Sequence, residues 1–481
     1  MKTLTTVETL FEEATRLASE FVSGHSDRTQ PVIRRLEPDE LRRALDLEIP
    51  REGRGVEGVL DLARKTLEYS VRTGHPRFFN QLFGGHDAAG ILGEWITALT
   101  NTSMYTYEAA PVGTVVEFAL LDRLLEYVGF EEGEGVFSPG GSISNLMCVL
   151  AARHRAFPHV KAEGLRTEDR PVIFVSKEAH YSLARAGVVV GIGLAGTVEV
   201  AVDSVGRMRP DALELAIKKE QDRGRTPFFV GATAGTTVAG AFDPLNAIAD
   251  ITERHGLWLH IDGSYGGSVL FSDKHRALLD GVQRANSVSW NPHKLMGVPL
   301  ASAATLIREK GTLVATNGMH AEYLFHEDAE STLDLGDRSL QCGRRVDALK
   351  LWFSWQSVGD AGYEKRIDGL FQLAEDFRDL VRARAGFELI REQEGTNVCF
   401  RYLPESGRHT TGAERLRIEH ETTVRVREAM AREGSFLINC AAVDGAATLR
   451  LVASNPETTL EDLEALLERV VTHGEAGDSQ L

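Results

Sequence analysis

The sequence has little cysteine, no long apolar run and no excess of positive charge. Its four cysteines show no CxxC spacing, so we expect no structural zinc, no other metal site and no disulfide framework. They are Cys148, Cys342, Cys399 and Cys440. No segment has the roughly 18 consecutive apolar residues of a membrane-spanning helix, and the opening segment MKTLTTVETLFEEATRLASEF lacks the apolar core of a signal peptide. These absences predict a soluble protein of the reducing cytoplasm.

Acidic residues outnumber basic ones by 70 to 53, which gives a formal net charge of −17. A surface with that balance repels nucleic acid and anionic membrane, so we expect neither as a partner. An acidic small molecule would have to be held by a few local groups. At 481 residues the chain is also too long for one simple core, and two or three packed units are expected.

The middle of the chain alternates short apolar runs with charged helical stretches. Runs rich in β-branched and aromatic residues lie at residues 171–176, 226–235 and 257–263. Strands that are apolar throughout and separated by helices predict an α/β fold, with a mainly parallel sheet covered by helices on both faces. After about residue 345, a long helical tract, two strand-like pieces and a closing acidic helix predict a smaller α+β domain.

Two motifs in this α/β region have the residue types of a ligand site. In HIDGSYGGS, Asp262 stands at the end of an apolar strand, where such folds bind ligands; alternatively it only caps the next turn. In FSPGGSISN, a loop leads into a helix, and the backbone N–H groups of Gly140, Gly141 and Ser142 are placed to hold a phosphate. An ordinary glycine turn with a serine cap is the alternative there.

Lys294, in NSVSWNPHKLMGVPLAS, gives these motifs a common interpretation. It lies 32 residues after Asp262, about one β-α-β unit later. An amine nucleophile, a carboxylate at a strand end and an anion-binding helix start are the groups that an enzyme using pyridoxal 5'-phosphate requires. The lysine would form a Schiff base with the cofactor aldehyde, helped by partial burial and a neighbouring cation that lower its pKa. The aspartate would keep the pyridine nitrogen protonated, so that the ring accepts electrons.

The lysine motif resembles that of the group II pyridoxal-phosphate-dependent decarboxylases, in the branch of glutamate and cysteine-sulfinate decarboxylases. Six further segments resemble this family and occur in its order: TGHPRFFNQL, NTSMYTYEAAPV, FSPGGSISN, ATAGTTVAGAFDP, QCGRRVDALKLW and LRLVASNP. Together the motifs extend over about residues 70–456, which is most of the chain. Seven motifs in the family's order are not a chance match, so the sequence is identified as a member of this family.

The resemblance implies a role for each matching residue. Lys294 would carry the cofactor, Asp262 would pair with its pyridinium nitrogen, and His180 would stack on its ring. The phosphate would be bound by Gly140, Gly141, Ser142, Asn291 and His293; Thr236 would face the ring side; Gln81 and Arg450 would hold the substrate's α-carboxylate. A guanidinium–carboxylate pair would orient the substrate so that the bond to be broken stands perpendicular to the ring. Without the motifs, His180 would be interpreted as a surface or core histidine and Arg450 as a charge on a strand surface.

Two departures from the family pattern concern the cofactor ring and the reaction's proton. Gly263 and Ser264 follow the aspartate where relatives commonly have Ala-Ala or Gly-Ala. Glutamate decarboxylases often carry a tyrosine that protonates the product in the mobile loop, here LFHEDAESTLDLGDRSLQCGRR, and Leu333 occupies that place in this chain. The proton would then come from His180, from Lys294 or from water.

The segment NTSMYTYE is expected to line the pocket for the substrate's side chain. Glutamate enzymes of the branch have Asn and Phe where this chain has Ser103 and Tyr105, and the pattern here resembles members that use cysteine sulfinate and aspartate. The tyrosine hydroxyl would shorten the pocket and donate to an acidic group; alternatively, both residues only repack a helix end. A pocket discriminates between substrates that differ by one methylene by only about 1–3 kcal/mol, so we expect the enzyme to accept more than one acidic amino acid. We expect L-cysteine sulfinate to give hypotaurine, with L-aspartate (giving β-alanine) and cysteate as further substrates.

The resemblance also implies the fold and the assembly. The fold would be aspartate-aminotransferase-like (fold type I), with a helical segment at residues 1–88 that packs on a dimer partner, a large cofactor-binding domain at 89–360 and a small α+β domain at 361–481. A homodimer with shared active sites is expected, in which each mobile loop serves the neighbouring subunit. Three alternatives remain: decarboxylation of L-glutamate to GABA, an oxidative decarboxylation that yields an aldehyde, and a non-catalytic binding paralogue.

Overall fold

The computed structural model describes residues 2–319, 321, 324 and 331–476. Its helices are α1 (Lys2–Ser23), α2 (Pro38–Leu45), α3 (Gly55–Tyr69), α4 (Ala88–Thr100), α5 (Pro111–Val128), α6 (Gly141–Ala156), α7 (Val160–Glu163), α8 (Ser182–Val189), α9 (Pro210–Asp222), α10 (Leu245–His255), α11 (Thr312–Asn317), α12 (Ala348–Ala383), α13 (Gly412–Glu433) and α14 (Leu460–Glu475). Its strands are β1 (Phe78–Phe79), β2 (Glu134–Ser138), β3 (Pro171–Ser176), β4 (Thr197–Val200), β5 (Thr226–Thr233), β6 (Trp258–Gly263), β7 (Ser287–Trp290), β8 (Ala303–Ile307), β9 (Phe387–Leu389), β10 (Asn397–Tyr402), β11 (Leu437–Val443) and β12 (Ala446–Val452).

The chain divides into two compact units. The central unit consists of Asp87–Gln372 and Arg391–Asn397, and the terminal unit of Met1–His86, Leu373–Ile390 and Val398–Leu481. Helix α12 begins in the central unit and ends in the terminal one, and Gly359, with φ 66° and ψ −179°, interrupts its helical geometry. The predicted division into segments 1–88, 89–360 and 361–481 stays a prediction, and so does the packing of the first segment on a dimer partner.

The central unit is built on a seven-stranded sheet in the order β2-β8-β7-β6-β5-β3-β4. Strands β7, β6, β5, β3 and β4 are parallel to one another, whereas β8 runs antiparallel to both β7 and β2. Every residue of β6 and β7 is buried. Because successive side chains of a strand point to opposite faces, the sheet is covered on both faces. This confirms the predicted mainly parallel α/β fold.

The register of the sheet brings the strand ends of the predicted site together. Asp262 of β6 is paired with Thr233 of β5 on one side and with Ser289 of β7 on the other. The loops that follow these three parallel strands therefore leave from one edge of the sheet. In open α/β sheets this carboxyl edge is the place where ligands bind.

Helix α6 packs directly on this sheet. Its buried residues Met147, Cys148, Ala151 and Ala152 belong to one cluster with Ile173 of β3 and Phe229 of β5. The small alanine side chains allow the helix to approach the strands closely. Since α6 starts at Gly141, this packing also fixes where the glycine-serine loop lies.

The terminal unit contains a second sheet, of five strands in the order β1-β11-β12-β10-β9. The β1 residues Phe78 and Phe79 lie parallel to Leu437 and Ile438 of β11, and the β11–β12 and β9–β10 pairs are antiparallel. The cluster beneath this sheet includes Phe377, Phe400, Val426, Met430, Leu451, Leu463 and Leu467, which come from α12, α13, α14 and the strands. The terminal unit thus combines a sheet with helices, and β1 joins its sheet from the N-terminal part of the chain.

Hydrogen bonds tie the TGHPRFF segment to the start of α14. The buried carboxylate of Asp462 accepts from Arg28 at 2.9 Å and from Arg77 at 3.0 Å. The side-chain amide of Asn455 donates to the backbone oxygen of Gly74 at 2.9 Å. The geometry of this segment thus depends on residues nearly 400 positions later in the chain. None of the helices in the described part of the chain has the length and apolar character needed to span a bilayer.

Candidate active site

Lys294 and Asp262 interact at the carboxyl edge of the central sheet. Asp262 is the next-to-last residue of β6 and is 4% exposed. Lys294 lies in a tight turn after β7, where its backbone N–H donates to the Asn291 oxygen at 3.0 Å. Burial lowers the pKa of the Lys294 amine, and the charge of Asp262 opposes that effect only in part. The amine is therefore neutral, and nucleophilic, over a wider pH range than that of an exposed lysine.

The surroundings of Asp262 keep its carboxylate ionised. Burial by itself raises the pKa of Asp262, but the charge of Lys294 and several hydrogen bonds together bring it below its ordinary value. The Ser264 N–H donates to Oδ1 at 3.1 Å, and the Asn145 amide donates to Oδ2 at 2.8 Å. An anion held in this way suits a cationic ring nitrogen.

His180 follows β3 and belongs to the same site. Its Nδ1 lies 2.8 Å from the hydroxyl oxygen of Ser182. Burial lowers the pKa of the His180 imidazole; the charge of Asp262 raises it, and those of Lys294 and Arg185 lower it further. A half-buried, neutral imidazole at this point is suited to packing against a flat ring and to donating one hydrogen bond.

The glycine-serine loop forms an anion cradle at the start of α6. Gly140 has φ 125°, a conformation that favours glycine, and the first N–H groups of the helix at Gly141 and Ser142 have no intrahelical partner. A Cβ atom on Gly141 would lie 2.6 Å from the Ser264 hydroxyl and 2.8 Å from the Asn291 amide nitrogen. Within the described residues, the buried Oγ of Ser264 and Oδ1 of Asn291 have no hydrogen-bond partner. Unpaired buried polar groups around a helix start fit a phosphate.

His293 and Thr236 lie on the loops beside this cradle, and hydrogen bonds to backbone groups fix both side chains. The Nδ1 of His293 lies 2.6 Å from the backbone oxygen of Ser302, which can only accept, so Nδ1 carries the ring hydrogen and donates it to that oxygen. Burial, and then the charge of Lys294, lower the pKa of His293 to about 4, so that the ring is neutral at pH 7. Thr236 is fully buried, and its hydroxyl accepts from the Ala241 N–H at 3.0 Å. The neutral His293 ring therefore adds no positive charge to the cradle.

A second group of predicted residues lies between α4 and α5. The backbone oxygen of Tyr105 accepts from the Gly336 N–H at 2.9 Å, and the Tyr107 N–H donates to the Asp334 carboxylate at 2.8 Å. Leu333, next to Asp334, is half-buried. The segment with Ser103 and Tyr105 thus lies alongside the end of the predicted mobile loop of the same chain. Residues 320, 322–323 and 325–330 of that region lie outside the described residues.

Gln81 and Arg450 form a third group, in the terminal unit. Gln81 is exposed just after β1, and Arg450 is a buried residue of β12. The Arg450 guanidinium donates to the backbone oxygen of Asn80 at 2.8 Å. The structure therefore places Arg450 against the residue that precedes Gln81 in the chain, and their joint role in binding one carboxylate stays a prediction.

Sequence reasoning missed a buried ion pair that supports the cradle. Arg344 contacts Glu117 at 3.0 Å, and both are buried. The pair binds the two backbone groups of Phe137, because Glu117 accepts from its N–H at 3.1 Å and Arg344 donates to its oxygen at 3.0 Å. Phe137 is three residues before Gly140. The available signal was the single acidic residue on the apolar face of α5, in VVEFALL.

Together these groups fit the predicted cofactor. The site offers an amine with a lowered pKa, a buried carboxylate, an imidazole whose pKa both of them influence, and a cradle with unpaired polar atoms.

Comparison with known proteins gives the same answer. A family model described as the pyridoxal-dependent decarboxylase conserved domain matches residues 38–403. Human cysteine sulfinic acid decarboxylase is 44% identical over 455 residues, which cover 93% of this chain and 92% of the human protein. The mouse protein of the same name is 45% identical over 437 residues, which cover 90% of this chain and 88% of that protein.

Solved structures agree over almost the whole chain. The crystal structure of mouse CSAD matches with a TM-score of 0.94 and 41% identity, covering 98% of this chain and 99% of that one. Oryza sativa TDC with PLP and tryptamine matches with a TM-score of 0.89 and 26% identity, covering 97% of each chain. The chain belongs to the pyridoxal-dependent decarboxylases, and its cofactor is pyridoxal 5'-phosphate.

Proposed function

We propose that this enzyme removes the α-carboxyl group of L-cysteine sulfinate as CO2 and produces hypotaurine, with L-aspartate and cysteate as further substrates. The observation that carries this proposal is the similarity to three mammalian cysteine sulfinic acid decarboxylases, at 43–45% identity over at least 90% of the chain. The Ser103 and Tyr105 pattern supports the same choice of a short acidic side chain.

The residues of the central unit would hold the cofactor. Lys294 would bond to its aldehyde, and Asp262 would pair with its ring nitrogen. The phosphate would lie in the cradle of Gly140, Gly141, Ser142, Asn291 and His293, with His180 and Thr236 at the ring. When bound, the cofactor draws the electrons of the breaking bond into its ring. The buried carboxylate makes that possible because it stabilises a positive charge on the nitrogen.

The substrate would be oriented by its two acidic ends. Arg450 and Gln81 would bind the α-carboxylate, and Ser103 and Tyr105 would bind the sulfinate. In the reaction the bond between Cα and the carboxyl carbon breaks, CO2 leaves, and Cα receives one proton. Leu333 has no proton to give, so that proton would come from His180, Lys294 or water.

We also propose a homodimer with shared active sites. Leu92, Trp95 and Leu99 are 43–64% exposed on one face of α4, at positions i, i+3 and i+7. Val112 and Val115 add further exposed apolar surface at the start of α5. An aligned apolar face of this kind is typical of a subunit interface, whereas single exposed apolar residues are ordinary.

The reducing cytoplasm is the proposed location. All four cysteines are free thiols in the structure, two of them buried. Free thiols persist in reducing compartments and are oxidised in secreted proteins. The acidic surface, at a formal net charge of −17, supports a small-molecule substrate over a nucleic-acid partner.

The proposed reaction is tested with purified protein, added cofactor and L-cysteine sulfinate. We expect one CO2 and one hypotaurine for each substrate consumed, with neither ammonia nor peroxide. The Lys294→Ala variant should release no CO2 and lack the visible absorption band of the lysine-bound cofactor, whereas Lys274→Ala, which alters an exposed lysine, should behave like the unaltered enzyme. Ammonia and peroxide formed in step with CO2 would instead indicate an aldehyde-forming enzyme.

A further inference from the structure

Asn145, in α6, is the junction of a buried hydrogen-bond network. Its amide nitrogen lies 2.8 Å from Oδ2 of Asp262 and 2.9 Å from Oγ of Ser182. Its amide oxygen lies 3.0 Å from Nε2 of His260 and 2.7 Å from Oγ of Ser289. The side chain is 1% exposed. Both of its hydrogens and both lone pairs of its oxygen are therefore used within the protein.

The carboxylate of Asp262 fixes which way this amide points. An ionised carboxylate only accepts hydrogen bonds, so the nitrogen of Asn145 must face it. The opposite orientation would place two oxygens 2.8 Å apart. The amide oxygen must then face His260, and Nε2 of His260 must carry a hydrogen to donate to it.

The other end of the network is fixed by Trp258. Its indole N–H can only donate, and it does so to the Ser287 hydroxyl at 2.8 Å. That hydroxyl lies 2.9 Å from Nδ1 of His260. Burial lowers the pKa of His260 to about 4, so the ring is neutral at pH 7 and its Nδ1 has no hydrogen. The Ser287 hydroxyl therefore donates to Nδ1, and each bond from Trp258 to Asp262 points the same way.

A branch of the network reaches His180. The Ser182 hydroxyl accepts from Asn145 and lies 2.8 Å from Nδ1 of His180. Its own hydrogen therefore goes to Nδ1, and the hydrogen of the neutral His180 ring is on Nε2. One amide orientation thus determines the donor atom of two histidines.

We propose that Asn145 is a positioning residue that directs a one-way relay of hydrogen bonds, Trp258 to Ser287 to His260 to Asn145 to Asp262, and that this relay holds both histidines in their Nε2–H form. Donors in such a chain polarise one another in a low-dielectric interior, which stabilises the anion at its end. The relay is a property of the protein without cofactor. Its effect on cofactor binding rests in addition on the proposed role of Asp262.

The relay is tested first in the apoenzyme by 15N NMR of labelled histidine side chains. His260 is identified by the signals lost in His260→Gln, and His180 by those lost in His180→Gln. We expect Nε2 to be protonated and Nδ1 unprotonated in both. In Asn145→Leu, which keeps the size but removes donors and acceptors, the His260 signals should move towards those of a Nδ1–H ring. Unchanged histidine signals in this variant would overturn the proposal.

Two tryptophans provide a matched pair of variants that does not touch Asn145. Trp258→Phe removes the first donor of the relay, whereas Trp290→Phe removes an equally buried indole that donates to Ser268 at 3.0 Å, outside the relay. Circular dichroism and thermal unfolding establish that each variant folds. We expect the His260 signals to shift in Trp258→Phe and to stay in place in Trp290→Phe. Equal shifts in both would contradict a directed relay.

Cofactor affinity separates the relay from the proposed role of Asp262. Titration of pyridoxal 5'-phosphate into apoenzyme should give a Kd at least about tenfold weaker for Asn145→Leu, because one hydrogen bond to a charged group is lost. If the histidine signals move as expected while the Kd does not, the relay stands and the pairing of Asp262 with the ring nitrogen is wrong. If neither changes, the relay itself is wrong.

Discussion

At the scale of single residues, the reactivity of Lys294 is set by two opposing effects. Burial disfavours the charged amine, and the Asp262 carboxylate favours it. Burial is the larger effect, so the pKa lies below that of an exposed lysine, which is about 10.4. The Lys294 amine therefore stays nucleophilic, and the neighbouring Asp262 carboxylate stays ionised.

This balance predicts the pH dependence of the amine. The rate at which Lys294 bonds to an aldehyde should rise with pH through a midpoint below about 10.4. In Asp262→Asn the charge that raises the Lys294 pKa is gone, so the midpoint should move to lower pH. A simple aromatic aldehyde trapped with borohydride is the suitable probe, because it has no ring nitrogen to pair with Asp262. A midpoint that stays in place or rises would contradict the assignment.

Removing the Ser264 hydroxyl should lower the affinity for the cofactor. Its buried hydroxyl faces the glycine-serine loop without a partner within the described residues. A hydrogen bond to a phosphate is worth about 1.5 kcal/mol, so Ser264→Ala should weaken cofactor binding about tenfold. Ser272→Ala is the control, because that buried serine donates to Asp368 instead. Equal Kd values for Ser264→Ala and the unaltered enzyme would remove Ser264 from the cradle.

The residue types at the site could be predicted from sequence, but their pairings could not. Lys294, Asp262 and the glycine-serine loop were identified because their chemistry is specific and their motifs resemble a family. Asn145 was not, since an asparagine in a helix has no distinctive pattern. Only the fold shows that its amide lies between β6 and α8. Ser264 was seen as a departure from the family, without any indication that its hydroxyl is unpaired.

At the scale of elements, the strands with two buried faces were the most predictable. The runs at 171–176, 226–235 and 257–263 correspond to β3, β5 and β6 within two residues, because apolar strands bounded by helices and turns have a clear signal. The reversed direction of β8 and the pairing of the two-residue β1 with β11 were not predictable. Both depend on contacts that form only after distant segments pack.

At the scale of elements, we also expect the buried Glu117–Arg344 pair to contribute strongly to the free energy of unfolding. Glu117→Ala leaves a buried, uncompensated guanidinium, which typically costs about 3–5 kcal/mol. The free energy of unfolding from urea denaturation should fall by that amount, and cofactor binding should weaken because Phe137 and the cradle lose their anchor. The exposed pair Arg417–Glu421 is the control: Glu421→Ala should cost less than about 1 kcal/mol. Similar costs for both pairs would show that the buried pair is not an anchor.

At the scale of the whole molecule, the apolar face of α4 predicts the assembly. The double variant Trp95→Glu with Leu99→Glu places two charges on that face and should convert a dimer to a monomer. Leu215→Glu is the matched control, because Leu215 is an equally exposed leucine on α9. Light scattering coupled to gel filtration measures the mass of each. A dimer that persists in the double variant, or a monomer that is fully active, would contradict a shared active site on this face.

The central claim is that this decarboxylase acts on cysteine sulfinate in preference to a longer acid. The most direct test is a competition assay in which purified enzyme with added cofactor receives L-cysteine sulfinate, L-aspartate, cysteate and L-glutamate at equal concentrations, and the CO2 released from each is followed separately. We predict that cysteine sulfinate is consumed first and glutamate last. Faster CO2 release from glutamate than from the other three would contradict the claim.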